Sequence, residues 1–437
     1  MESNLKTGAV LQSDSGAEYK VLRLLGAGGQ GEVYEVAQAA KNSENKALKW
    51  YFEHTATPAQ KSIIKDLLAK SAPDKTFLWP LDVVDSTSRG EPFGYVMDLR
   101  PDNYKGIVDM MKRRAEPTFY ALCRAAFNLT RGYEKLHGMG YSYRDISFGN
   151  VFFDPDSGDG LICDNDNVSA SGQDDSAVYG TPRFMAQEIV VGKAKPSRNT
   201  DQYSLAVLLF YMFMLHHPLE GKLEADIKCL DLPAMNRLYG TNPVFIFDPD
   251  DKTNRPQKGF HDNAIIYWDV YPQSVRDLFT QSFTVGLEQP TRRVTEKQWM
   301  DLFVNLMGGI VSCPDCDSEV FYDEEKAKMQ AGHTCWQCGS AVEIPPSIVI
   351  GKSRVLITRH AKLYAHHIYG DYDLDSEVGC VVQNPSNPAL WGIQNVSKDN
   401  WTYIKADGAQ VAVSPGKTAS IAKDTKINFG RLVGEFC

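Results

Sequence analysis

The spacing of apolar positions changes along the chain and divides it into regions. Residues 1–18 are polar, contain Gly and Ser, show no period and predict a loose tail. Residues 19–25 predict a strand, and residues 32–37, with Val33 and Val36 between polar neighbours, predict its hairpin partner. A short strand follows at 46–49. Residues 58–70 place Ile63, Ile64, Leu67 and Leu68 on one face of a helix. Residues 77–84 and 93–99 predict two more strands, which complete a small β-rich lobe. Residues 118–137 predict a long amphipathic helix. The longest apolar run, 204–215, is too short to span a bilayer and predicts a buried core helix. Pro345-Pro346 marks a linker. Beyond it, alternating segments at 348–350, 355–358, 378–382, 391–395, 401–405, 410–413 and 427–430 are separated by turns such as Asp407-Gly408 and Pro415-Gly416. They predict an all-β sandwich over 347–437.

Composition narrows the class. The chain has 437 residues, enough for two or three domains, with 43% hydrophobic and 23% charged residues, as in ordinary globular chains. A net charge of −9 points away from nucleic acid and from anionic membrane surfaces. The opening MESNLKTGAV lacks the basic and apolar regions of a signal peptide, so a cytoplasmic location is expected. The nine cysteines include two Cys-x-x-Cys pairs, which in a reducing compartment indicate metal binding rather than disulfides.

The densest chemistry lies in 141–166, YSYRDISFGNVFFDPDSGDGLICDND. Asp145 is followed five residues later by Asn150, and a short apolar run then delivers Asp164. A carboxylate that accepts a hydroxyl proton, with an amide and a second carboxylate for magnesium, suits phosphoryl transfer from a nucleotide. Upstream, Gly26-Ala27-Gly28-Gly29-Gln30-Gly31 joins two predicted strands. A dinucleotide-binding glycine run would open a helix instead. Glycines in a hairpin let backbone amides approach phosphates closely. Lys46-Ala47-Leu48-Lys49 follows on its own strand.

In this order the motifs resemble those of the eukaryotic-type (Hanks) Ser/Thr protein kinases over 19–305. The resemblance implies a bilobal kinase fold, with an N-lobe at 19–100 and a C-lobe at 101–305. It implies ATP as cofactor, with magnesium or manganese held by Asn150 and Asp164. Asp145 is then the catalytic base and Lys49 the phosphate-gripping lysine. The nucleotide site is expected at Gly26, Ala27, Gly28, Gly31, Val33, Ala47, Lys49, Met97, Asp98 and Leu99. Arg144 would pair with a phosphate on the activation segment, where Ser169, Ser171, Ser176, Tyr179 and Thr181 are candidate phosphosites. Gly180–Glu188 resembles the substrate-docking loop, Asp201 would cap the catalytic loop, and Arg293 would pair with Glu188.

The sequence departs from the pattern at four places, one of them Gln187, where the family's substrate-docking loop has Pro. The helix at 58–70 has no Glu to hold the lysine, which leaves Asp66 and Gln60 as substitutes, although Asp66 also suits a solvated face. Asn165-Asp166 replaces the family's Phe-Gly, and Asp166 would either reinforce the metal site or cap a turn. Tyr143 stands where most kinases have His. The Asp-Asn-Asp loop, 77–82 and 243–249 resemble bacterial kinases encoded beside a von Willebrand-type protein and a phosphatase in tellurite-resistance-linked triads. This implies those two partners, and stress signalling.

Cys313-Pro314-Asp315-Cys316 and Cys335-Trp336-Gln337-Cys338 are separated by eighteen residues. Two such knuckles bring four thiolates to one structural zinc, and predict a zinc ribbon at 311–344. The sandwich resembles a forkhead-associated (FHA) domain. Thr358-Arg359-His360 resembles its phosphothreonine-reading loop, but the Asn-Gly partner is missing, so phosphopeptide binding and a scaffold or dimerisation role both stay open. The whole chain thus reads as a multidomain α+β protein. Its expected function is an autophosphorylating Ser/Thr kinase acting on protein substrates, without nucleic-acid or membrane partners. A nucleotide-binding pseudokinase scaffold is the alternative, and acidity disfavours a zinc-ribbon nucleic-acid binder.

Overall fold

A six-stranded antiparallel sheet begins the fold in the computed structural model, which describes residues 3–38, 44–85, 92–172 and 180–437. Its strands are β1 (Val10–Gln12), β2 (Glu18–Ala27), β3 (Gly31–Gln38), β4 (Lys46–Tyr51), β5 (Asp82–Asp85) and β6 (Phe93–Asp98), in the order β1-β2-β3-β4-β6-β5. Alternation along β4 and β6 gives the sheet two apolar faces. Ala47, Tyr51, Tyr95 and Met97 face one way, with Ile64 of helix α1 (Pro58–Leu68). Tyr34, Leu48, Trp50, Val84 and Val96 face the other.

The second face corrects the expectation of a loose tail at 1–18. It needs cover, and Leu5, Ala9, Leu11 and Ala17 supply it. β1 pairs with β2, the Asn4 amide donates to Glu32 Oε2 (2.9 Å), and the Asp14 amide donates to the Val83 carbonyl (2.8 Å). The few apolar residues carry no period because their partners are distant strands rather than neighbours. The strand expected at 77–84 is also shorter. Residues before Asp82 form an extended connection instead, with the Leu78 amide on the Ile162 carbonyl (2.9 Å).

Helix α1 is closed at both ends. Thr57 caps its start by accepting from the Gln60 amide (3.1 Å), and Pro58 suits its first turn. The Trp79 indole donates to the Leu67 and Lys70 carbonyls (3.0 and 3.2 Å) at its end.

The helical part follows, with α2 (Ile107–Met111), α3 (Phe119–Gly138), α4 (Gln187–Val190) and α5 (Arg198–Met214). Residues 200–214 of α5 are all buried, so its continuous apolar run is a core helix as expected. Between α3 and α4 lie the short strands β7 (Tyr141–Ser142), β8 (Val151–Phe153), β9 (Gly160–Ile162) and β10 (Ser169–Ala170). β8 pairs with β9 and β7 with β10. Among the described residues no helix is long and apolar enough to cross a membrane.

Two compact units result: residues 1–267 with 278–300, and residues 268–277 with 301–437. In the second, β11 (Ile310–Ser312) pairs with β12 (Glu319–Phe321), and β13 (His333–Thr334) with β14 (Ala341–Val342). Each hairpin carries one Cys-x-x-Cys knuckle. The strands that follow are β15 (Ser347–Ile350), β16 (Ser353–Leu356), β17 (Lys362–Tyr364), β18 (Glu377–Asn384), β19 (Asn387–Asn395), β20 (Trp401–Ile404), β21 (Gln410–Val413), β22 (Thr418–Ser420), β23 (Lys426–Asn428) and β24 (Val433–Phe436). They form two antiparallel sheets, β16-β15-β24-β23-β20-β21 and β17-β18-β19-β22, around a core that includes Ile348, Ile393, Trp401 and Ile427. β17, β22 and β24 had no predicted counterpart. Each has only three or four residues.

Candidate active site

Asp145 lies on the loop between β7 and β8 and is held from three directions. Its Oδ2 accepts from Asn150 Nδ2 (3.0 Å), and its Oδ1 accepts from the Thr181 amide (2.9 Å) and hydroxyl (2.8 Å). Asn150 also donates to the Asp145 carbonyl (2.9 Å), and its own carbonyl accepts from the Cys163 amide (2.8 Å). The catalytic-loop pair and the Asp164 loop are therefore joined through backbone. Asp201 accepts from the Tyr143 amide (2.6 Å), as the resemblance implies. Tyr143 is buried, and its hydroxyl donates to the Cys163 carbonyl and lies 3.3 Å from that of Asp164. Arg144 and Asp164 both have left-handed backbone (φ 67° and 52°), a strained conformation for residues with a Cβ that concentrates at functional sites.

Lys49 of β4 is buried and reaches this loop. Its Nζ lies 3.0 and 2.9 Å from the two Asp166 oxygens, 3.2 Å from Gln30 Oε1 and 3.5 Å from Asp164 Oδ1. Burial alone would push the ammonium pKa down, but the Asp166 and Asp164 carboxylates outweigh it and hold it above its ordinary value. Asp166 is buried, and it also accepts from the Tyr51 hydroxyl (2.6 Å) and Gln60 Nε2 (3.3 Å). Burial, then the nearby Asp166 carboxylate, keeps the Tyr51 hydroxyl protonated far above its ordinary range.

Of the two readings of Asp66, the solvated face is the one found: Asp66 is exposed on α1, and the carboxylate on Lys49 is that of Asp166. Asp166, expected at the metal site or a turn cap, has its carboxylate oxygens bonded to Lys49, Tyr51 and Gln60. Asn165 is buried where the family has Phe, and replaces an apolar contact with a hydrogen bond from its amide to the Leu78 carbonyl (2.7 Å).

The remaining candidates fall as follows. Ala47 and Met97 are buried in one cluster with Leu161. Val33, Leu99, Phe152 and Cys163 pack against it. Phe152 and Cys163 were missed, although both flank quoted motifs. Asp98 is exposed and accepts from Lys46 Nζ (2.7 Å). A Cβ on Gly26, Gly28 or Gly29 would meet nothing within 4 Å, whereas one on Gly31 would meet the Trp50 carbonyl oxygen at 2.2 Å. Ala27 ends β2, paired with Glu32. Arg144 donates to the Asn167 and Asp166 carbonyls (2.7 and 3.1 Å). Ser169 lies in β10, and the Ser171 hydroxyl accepts from the Arg198 amide (3.2 Å). Ser176 and Tyr179 lie outside the described residues. Arg293 makes two bonds to Glu188 (2.7 and 2.8 Å), as expected.

A protein kinase domain model matches residues 19–301. The chain belongs to the protein kinase domain family. Similar proteins include the probable serine/threonine-protein kinase CCRP1 of Zea mays, 26% identical over 48% of this chain and 33% of that protein. They also include the probable serine/threonine-protein kinase ireA of Dictyostelium discoideum, 28% identical over 37% of this chain and 17% of that protein. The serine/threonine-protein kinase SCH9 of Saccharomyces cerevisiae is 28% identical over 45% of this chain and 24% of that protein. The chain thus spans no more than about a third of the length of these relatives.

Outside the kinase domain, the Sγ atoms of Cys313, Cys316, Cys335 and Cys338 all lie within 4.8 Å of one another. The two knuckles repeat one geometry. The Cys313 amide donates to the Ser318 carbonyl and the Cys335 amide to the Ser340 carbonyl, both at 2.8 Å. Asp317 (φ 58°) and Gly339 (φ 80°) take the same left-handed turn position.

Proposed function

We propose that the chain is a protein serine/threonine kinase dependent on ATP and a divalent cation. One observation carries the reading. Lys49, Asp145, Asn150 and Asp164, spread over more than a hundred residues of sequence, meet in one bonded arrangement. The residues fit the nucleotide and metal. Val33, Ala47, Met97, Leu99 and Phe152 belong to one apolar cluster, against which a planar base would lie. The glycine hairpin leaves open space over Gly28 and Gly29. Asn150 has its side-chain nitrogen committed to Asp145, which leaves its side-chain oxygen, Oδ1, to join Asp164 around a cation. Burial raises the Asp164 pKa. Lys49 opposes this, Asp166 and Asp145 add to it, and a cation relieves that crowding of negative charge.

Bound ATP with its cation supplies the phosphoryl group and part of the charge neutralisation. Lys49 holds phosphate oxygens, and Asp145 orients the acceptor hydroxyl and takes its proton. Positioning and electrostatics then supply most of the rate. The pseudokinase alternative draws on the missing helix glutamate and on Asn165-Asp166 in place of Phe-Gly; Asp166 beside Lys49 answers the first of these and leaves the second to the test. The test is transfer of labelled phosphate from Mg·ATP to the chain itself and to added protein. Asp145→Asn should lower transfer by about 10²–10⁴-fold with nucleotide affinity nearly intact. ATP binding by the unaltered chain with no transfer to any protein would leave the pseudokinase.

The four thiols would hold one structural zinc. Cys313–Cys338 and Cys316–Cys335 Sγ separations of 3.6 Å suit a tetrahedron with zinc–sulfur bonds of about 2.3 Å. The two-sheet topology supports the FHA-like reading, and Arg359 is exposed on the loop between β16 and β17. Mutating Arg359 should abolish capture of the phosphorylated chain if that loop reads phosphothreonine. The Asp-Asn-Asp loop supports a bacterial stress-signalling kinase with a cognate phosphatase and von Willebrand-type protein.

A further inference from the structure

We infer that Asp166 is the positioning residue of Lys49, so that the lysine clamp is carried by the Asp164 loop rather than by helix α1. The inference rests on the kinase reading above. A buried ammonium needs a carboxylate, and one placed on a mobile helix would make the clamp and the metal loop two separate assembly events. Here Asp164 and Asp166 flank a single residue, Asn165, whose amide ties the loop to the Leu78 carbonyl (2.7 Å). Both Asp166 carboxylate oxygens accept from Lys49 Nζ, at 3.0 and 2.9 Å, and Oδ2 is itself oriented by the Tyr51 hydroxyl (2.6 Å). Helix α1 contributes only an uncharged group, Gln60, whose Nε2 lies 3.3 Å from Asp166 Oδ2 and 3.2 Å from the Tyr51 hydroxyl. Ordering the loop therefore seats the metal ligand and the lysine partner together, and displacing α1 removes no charge from the clamp.

Gln60 also supplies the test, because it already touches Asp166 and Glu has nearly its shape. Asp166→Asn, Gln60→Glu and the double variant are compared in the full chain. Readouts are kcat and KM for ATP, calorimetric affinity for Mg·ADP, and the magnesium midpoint. Asp166→Asn should lower kcat about 10–1000-fold, the range for losing one positioning interaction, and weaken Mg·ADP binding, and any rise in the magnesium midpoint from the lost neighbouring charge should be reversed in the double variant. Gln60→Glu alone should also weaken binding, since a second, half-buried carboxylate then faces the buried Asp166. The double variant, with the charge moved to the helix, should regain about tenfold or more in both readouts. Unaltered kcat and Mg·ADP affinity in Asp166→Asn would overturn the inference. So would a raised magnesium midpoint without rescue, which would make Asp166 a metal ligand. If Asp166→Asn fails to fold, the double variant is read against the unaltered chain, and a tenfold or greater loss of Mg·ADP affinity would overturn it. If the unaltered chain transfers no phosphate, the kinase reading fails while the Mg·ADP series still decides the clamp.

Discussion

The cysteine cluster and the lysine clamp are both small polar assemblies, but they are built on opposite plans. The cysteine cluster joins two copies of one local unit. In each, backbone bonds between residues five apart close the turn, so the ligands are preset before the halves meet. The clamp joins Lys49 to a carboxylate 117 residues away, and draws Tyr51, Gln60 and Gln30 from three further positions. Only Tyr51, two residues on along β4, is fixed by local spacing. Local closure leaves a signature in sequence, and assembly through packed elements does not. The two plans should also fail differently. With the proposed zinc, the first depends on an external ion, and the second on burial and on charges the chain supplies itself.

Removing the ion should have the largest effect. Cys335→Ser should abolish zinc binding and leave 310–342 without its main source of folding energy, since such sites bind zinc with about 10–16 kcal/mol. Elemental analysis should show one zinc per unaltered chain and none in the variant, and hydrogen exchange should show 310–342 opening. The unit that contains Lys49 and Asp145 has its own core, so its unfolding transition should persist. A chain purified without chelators and free of zinc would break the comparison at its first term.

A second buried charge cluster sharpens the contrast by its response to pH. His137 of α3 is fully enclosed, with Nε2 3.0 Å from Asp201 and Nδ1 2.6 Å from Glu296, and Glu296 is also bonded to Arg198 (2.7 Å). Burial alone would push the imidazole pKa down, but the two carboxylates outweigh it and hold it at about 9, above its ordinary 6.5. A folded value above the unfolded one gives stability that is complete below about 6.5 and is lost as pH rises through about 9. The shift corresponds to roughly 3 kcal/mol at most. Urea unfolding between pH 7 and 10 should therefore fall more steeply for the unaltered chain than for His137→Gln. Parallel curves would show that the histidine is neutral throughout. The thiolates respond in the opposite direction, since acid protonates them and releases the metal.

How much was legible follows from the same contrast. Asp145, Asn150 and Asp164 stand close in sequence, and their loop was readable before any packing was known. The α5 run and the two knuckles were readable because period or spacing alone defines them. The N-terminal strand was not, because Leu5, Ala9 and Leu11 are explained only by a sheet face made of Leu48, Trp50 and Val96. Asp166 was visible, but its role was not. Its distance from Lys49 depends on how β4 meets the Asp164 loop, which no local pattern encodes. Gln60 was named as a substitute partner on helical position alone, and it does reach the site, as a hydrogen-bond donor to the carboxylate that holds the lysine.

The smallest expected effect belongs to Asp66, and it is the most direct check on that account. Its helix lies in the right place, and an Asp there is the nearest substitute for the family's Glu. Its removal would cost a large loss if it is the lysine partner and almost none if it is a solvated face residue, and sequence leaves both open. The structure leaves Asp66 exposed two positions from the buried Ile64, while Lys49 is satisfied by Asp166. Exposed side chains away from caps and charge networks change stability by no more than about 0.5 kcal/mol. Asp66→Ala should leave phosphate transfer and Mg·ADP affinity within about twofold of the unaltered chain, since twofold corresponds to about 0.4 kcal/mol. A loss of tenfold or more would mean that α1 turns its Asp66 face toward Lys49 in the working enzyme. The lysine would then change partners during the cycle, with Asp166 holding it in only one of two states.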